Sequence, residues 1–112
     1  MQTDQINIST ITEDQIEMFN DIVIKNIKNI NLTDQEDSLL RNNLKLWLYC
    51  LRTIRKEVEY QLSSYKKNMK SLDQKYDSKE YILNETRRIN SIKFLTAVEK
   101  KLIFVKLLVE YD

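Results

Sequence analysis

The chain has 112 residues, a formal charge of +1, and not one glycine, proline or histidine. Average usage would put roughly a dozen Gly and Pro together in a chain of this length. A sandwich or an α/β fold draws its tight turns from those residues, so their absence excludes sheet-rich folds and predicts a single all-α domain spanning 1–112.

The same composition narrows the chemistry. Without His, no Ser-His or Cys-His nucleophile can be assembled. Without Gly, no phosphate-cradling loop can form. The single cysteine, Cys50, allows neither an internal disulfide nor a zinc cluster. The adjacent carboxylates Glu57 and Glu59 do not face each other on a helix, because residues two apart diverge. The expectation is a non-enzyme with no cofactor, no metal and no small-molecule substrate.

Charge is unevenly laid out. Residues 1–40 carry eight acidic and two basic side chains, and residues 41–70 carry eight basic and two acidic. The two stretches are expected to attract each other within the fold. The N-terminal MQTDQINIST is polar, so no signal peptide is expected, and no apolar run is long enough for a membrane span. A cytoplasmic protein that does not engage membranes is the corresponding expectation. Sequons at Asn7, Asn31 and Asn84 are read as chance in an Asn-rich chain.

The first predicted helix covers about 12–30. Thr12 and Gln15 fit a capping box, and Glu13, Asp14 and Glu17 sit near the positive end of the helix dipole. Ile16, Phe19, Val23, Ile27 and Ile30 recur at helical spacing and form one apolar stripe.

Thr33 with Glu36 makes a second capping box. From there no breaker is visible until Asp77, which predicts one helix over about 34–76. Its seam reads Leu40, Leu44, Trp47, Leu51, Ile54, Val58, Leu62, Tyr65, Met69, Leu72 and Tyr76, in steps of three and four with one stutter at Val58–Leu62. Such a helix would be about 65 Å long. Ser63-Ser64 is its weakest point, because Ser competes for main-chain hydrogen bonds. The last helix covers about 78–111, with Asp77 or Ser78 as N-cap. Its expected inward positions are Ile82, Ile89, Ile92, Leu95, Val98, Leu102, Val105 and Val109.

A short turn at Asp77 makes the last two helices antiparallel, with residue 77 − k roughly opposite 77 + k. LKLWLYCL and LIFVKLLV are apolar on nearly every face and need more than one neighbour. The predicted architecture is therefore a long, coiled-coil-like antiparallel hairpin. The short N-terminal helix completes a three-helix bundle at one end, from 12–30, about 36–58 and about 93–111. Residues 59–92 project as a two-helix stalk.

Two candidate surfaces follow. The first is apolar: Trp47, Leu51, Phe104 and Leu108, either core or interface. Trp47 is read as a core anchor and Cys50 as a buried thiol. The second is basic: Lys66, Lys67 and Lys70 on the outgoing arm, with Arg87 and Arg88 returning beside them. The pairing rule puts Lys66 level with Arg88 and Lys67 level with Arg87. Such a cluster is a solvated face, a grip for an acidic protein, or a phosphate-binding patch. Tyr76 and Tyr81 flank the tip.

The length and hairpin shape resemble the small WXG-type substrates of Gram-positive export systems. Tyr76 to Glu80, and Tyr81 to Glu85, match a loose Tyr-x-x-x-Glu export pattern. Trp47, however, lies mid-helix and the Trp-x-Gly turn is missing, so no family follows from the resemblance. The functional expectation is a helical protein–protein interaction or assembly module: an adaptor, an assembly subunit or a small inhibitor of a larger protein. A protein partner or a homo-oligomer is expected. The alternative is a nucleic-acid-associated protein using the basic stalk.

Overall fold

The computed structural model describes residues 6–71 and 79–111, with side chains 68–71 set aside. A 3-10 turn at Ile8–Thr10 is followed by α1 (Glu13–Ile27), α2 (Asp34–Arg41), α3 (Leu44–Ser71) and α4 (Lys79–Tyr111), with no strand among the described residues. α3 and α4 form the long hairpin, and α1 packs on α2, α3 and α4 at its open end. The longest dimension is 61 Å.

Both expected capping boxes are present. Thr12 Oγ1 accepts the Gln15 N–H at 3.2 Å, and Gln15 Oε1 accepts the Thr12 N–H at 2.9 Å. Thr33 and Glu36 repeat the arrangement at 3.1 Å in each direction. These bonds satisfy main-chain donors that the first helical turn leaves open.

Ending a helix without glycine falls to asparagine. α1 closes through Asn29, whose φ of 58° lies in the left-handed region. The Asn29 N–H reaches the Asn26 carbonyl at 3.1 Å, and the Ile30 N–H reaches the Lys25 carbonyl at 2.9 Å. That is a Schellman ending, with Asn in the position Gly usually occupies, because its short polar side chain tolerates that conformation better than most.

The expected continuous helix over 34–76 is interrupted. It separates into α2 and α3 at Asn42-Asn43, while Ser63-Ser64 lies inside an unbroken α3. The cause is Asn43, only 7% exposed. Its Nδ2 donates to the Leu39 carbonyl at 2.7 Å, and its Oδ1 accepts the Ile6 N–H at 2.8 Å. Asn43 thus ends α2, and its own carbonyl accepts the Trp47 N–H at 2.9 Å to begin α3. Asn offers the main chain this alternative because its side chain bonds locally. The expected turn and N-cap at Asp77 and Ser78, and the seam positions Leu72 and Tyr76, lie outside the described residues.

The core sits where all four helices meet, α2 contributing Leu40. Phe19, Ile22, Val23 and Ile27 of α1 meet Leu40, then Leu46, Trp47, Cys50, Leu51, Ile54 and Val58 of α3, and Val98, Leu102 and Val105 of α4. Full burial of such a side chain contributes roughly 1.5–3 kcal/mol. Beyond Val58 and before Val98, in the projecting stalk, the one buried residue among those described is Asn84.

α4 departs from the expected facing. Stepping back from the core in threes and fours from Val109 gives Val105, Leu102, Val98, Leu95, Ser91, Arg88, Asn84 and Tyr81, and each of these is buried or half-buried. Ile82, Ile89 and Ile92, expected inward, are instead 57%, 43% and 41% exposed. The phase set by the core continues along the helix and carries polar residues into the seam, leaving the isoleucines outside.

Candidate interaction surfaces

The basic stalk comes first. Lys66, Lys67 and Arg87 are exposed, and the side chain of Lys70 lies outside the described residues. Arg88 is half-buried in the seam and paired with Glu85, Nη2 to Oε1 at 2.7 Å and Nε to Oε2 at 3.1 Å. The Arg88 guanidinium holds the Glu85 carboxyl below the usual carboxylate range, and Glu85 raises Arg88 in return. One of the expected free cations is therefore locally neutralised.

The register also differs from the expectation. Asn84 Nδ2 donates to the Tyr65 carbonyl at 3.1 Å. The Trp47 and Phe104 rings meet edge to face, with centroids 6.3 Å apart. Each α3 residue thus faces a point on α4 about one turn earlier than the pairing rule gives. Lys66 shares a cavity of about 620 Å³ with Leu62, Ser63, Tyr81, Glu85, Arg88 and Ile92. Lys66 and Arg88 line the same cavity together with the Glu85 carboxylate, while Lys67 and Arg87 are not part of its lining.

The apolar candidates divide. Trp47 and Leu51 are core, at 2% and 0% exposure, and Leu108 is half-buried against it. Phe104 is 43% exposed, with Lys101 Nζ 5.5 Å from its ring centroid. Cys50 is buried, and loss of solvation pushes its thiol pKa up to about 11, which suits a packing role rather than a reactive one. Among the described residues no cluster of His, Cys, Asp and Glu is arranged to hold a metal ion, and no helix is long and apolar enough to cross a membrane.

The principal surface was missed in the sequence. Ile82, Leu83, Ile89, Ile92, Ile103, Phe104, Leu107 and Tyr111 of α4 are all between 41% and 85% exposed. By helical phase Ile82, Ile89, Leu107 and Tyr111 fall opposite the seam positions, near exposed Lys93 and Lys100. Leu83, Ile92 and Ile103 flank the seam, Ile92 also lining the Lys66 cavity, and Phe104 keeps its edge-to-face contact with Trp47. The signal was available: continuing the core phase through the polar residues, instead of following the apolar ones, would have found this face.

At the body end, α1 and α2 enclose an open cleft of about 670 Å³. Asp14, Glu17 and Asp21 line it together with the apolar Met18, Ile22 and Leu39. Lys25 Nζ and Glu36 Oε2, 3.3 Å apart, tie the two helices together at the same cleft. The main-chain N–H of Thr33 and then Lys25 hold the Glu36 carboxyl below its ordinary range.

No family model, curated protein or solved structure matches this chain.

Proposed function

We propose that this chain is a non-enzymatic helical interaction or assembly module, acting as an adaptor, an assembly subunit or a small inhibitor of a larger protein. The observation that carries the reading is the outer face of α4. Eight large apolar side chains stand exposed along one 33-residue helix that buries its seam positions, and Ile82, Ile89, Leu107 and Tyr111 among them fall opposite that seam. Extended exposed apolar surface of this kind marks protein contact sites. The basic stalk gives less support to a nucleic-acid role, because Arg88 is already paired with Glu85.

The test is a pair of substitutions on that face, Ile89→Asp and Leu107→Asp. Both positions are exposed, so the helical spectrum should be unchanged. The wild-type chain is expected to self-associate, or to bind a specific protein, in light scattering and pull-down experiments. The double variant should lose that association. A wild-type chain that stays monomeric and partnerless, or one whose complexes ignore both substitutions, would remove the reading.

A further inference from the structure

The α1–α2 cleft and the outer face of α4 are complementary in charge, in apolar character and in spacing. Asp14 and Asp21 lie seven residues apart on α1, with Glu17 and Met18 between them, and all four line the cleft. Lys93 and Lys100 lie seven residues apart on α4, and both are exposed. Seven helical residues rise about 10.5 Å, so two carboxylates and two ammonium groups repeat at the same interval. None of these four charged side chains forms an ion pair among the described residues. The cleft's exposed Met18 and half-buried Leu39, over buried Ile22, offer apolar surface to match Ile89, Phe104 and Leu107 beside the two lysines.

Within one molecule no ion pair joins Asp14 or Asp21 to Lys93 or Lys100 among the described residues. α1 is packed against α4 in the same molecule, and Lys93 and Lys100 remain exposed. Neither the carboxylates nor the apolar lining alone would select a partner. The matching face on the same chain does.

We propose that a second copy of this chain seats the Lys93/Lys100 face of its α4 in the α1–α2 cleft, a helix-in-groove contact that, made once, leaves the pair with one free cleft and one free face. The proposal rests on the interaction-module reading and names the partner of that same α4 face. Two copies that exchange the contact reciprocally close as a two-fold dimer, and a one-way contact propagates into rings or filaments; solution mass separates the two.

The experiment follows solution mass against concentration at low salt for four proteins. These are the wild-type chain, a cleft variant (Asp14→Lys with Asp21→Lys), a face variant (Lys93→Glu with Lys100→Glu), and the chain carrying all four changes. All four positions are exposed, and unchanged helicity is checked by circular dichroism. The wild-type chain should assemble, with association falling roughly tenfold or more toward about 1 M salt, where the Debye length is only about 3 Å. Each two-site variant alone should be monomeric. The two variants mixed, and the four-site chain alone, should regain assembly, because opposite charges again meet.

A wild-type chain that remains monomeric at millimolar concentration overturns self-docking. So does assembly that neither inversion weakens, or binding of a foreign basic amphipathic helix in the cleft without self-association. In each of these cases the Ile89→Asp and Leu107→Asp test still decides the broader reading by itself, since it counts any protein partner.

Discussion

Asn84 donates its side-chain N–H to the main-chain carbonyl of Tyr65 across the hairpin, at 3.1 Å, and sits 8% exposed in a seam otherwise expected to be apolar. A polar residue at such a position sets register at some cost in stability. Asn84→Ala should lower the unfolding free energy by about 0.5–1.5 kcal/mol, the usual net contribution of one hydrogen bond. Asn84→Leu should match or exceed wild-type stability while loosening the pairing of the two arms. Urea unfolding measures the first effect. Spin-label distances between α3 and α4 measure the second, and a single sharp distance in the Leu variant would deny Asn84 its role in setting register.

The break between α2 and α3 gives a prediction of its own. Asn43 satisfies the Leu39 carbonyl and the Ile6 N–H with one buried side chain. Asn43→Ala leaves both groups without that partner and should cost about 1–3 kcal/mol. Amide exchange at Ile6 should accelerate more than exchange in the middle of α3. Equal acceleration everywhere would mean that the side chain contributes only to global stability and does not anchor the N-terminal segment.

These two asparagines mark where the sequence was legible and where it was not. The capping boxes at Thr12 and Thr33 are local signals, complete within four residues, and the structure has both. The apolar stripe of α1 and the seam from Trp47 to Val58 were likewise readable, because apolar residues there repeat in phase with the helix. Asn42-Asn43 was not read as a break because its effect comes from Ile6, thirty-seven residues away, as well as from its own turn. The outward isoleucines of α4 were misassigned for a related reason. Apolar residues are spread almost evenly around that helix, so its own sequence names no inner face. Only the partner helix and the core decide which side turns in. Of the candidate site residues, Trp47 and Leu51, given as core or interface, lie in the core, while Arg88 is committed to Glu85 by a spacing of three that the sequence displays openly.

The division of α4 into an inner and an outer side can be tested energetically. Leu51 is 0% exposed and Ile103 is 64% exposed. Leu51→Ala should destabilise by about 2–5 kcal/mol, combining lost transfer energy with the cavity left behind. Ile103→Ala should stay within roughly 0.5 kcal/mol under dilute, monomeric conditions. If the two changes shifted the urea midpoint equally in dilute solution, the outer face would be part of the folded core and no longer available to a partner.

Cys50 supplies the pH dependence. Its thiol pKa stands near 11 in the fold, against an ordinary value of 9.0, because burial disfavours the thiolate. The unfolded chain releases this proton more readily than the folded one, so deprotonation favours unfolding. The thiol's contribution is complete below about pH 9, declines as pH rises toward 11, and is lost above it. Two pKa units correspond to about 2–3 kcal/mol as an upper bound. The wild-type chain should therefore lose stability between those pH values faster than Cys50→Ala, even though the variant begins lower because of its smaller side chain. Urea midpoints measured for both proteins across this range give the difference directly. Thiol labelling at pH 8 offers a second readout: slow in the native protein and fast in urea, since reactive thiolate is scarce while the side chain stays buried. Parallel pH profiles for the two proteins, or rapid labelling without denaturant, would show that Cys50 reaches solvent and that the body packs less tightly around Leu46 to Ile54 than described.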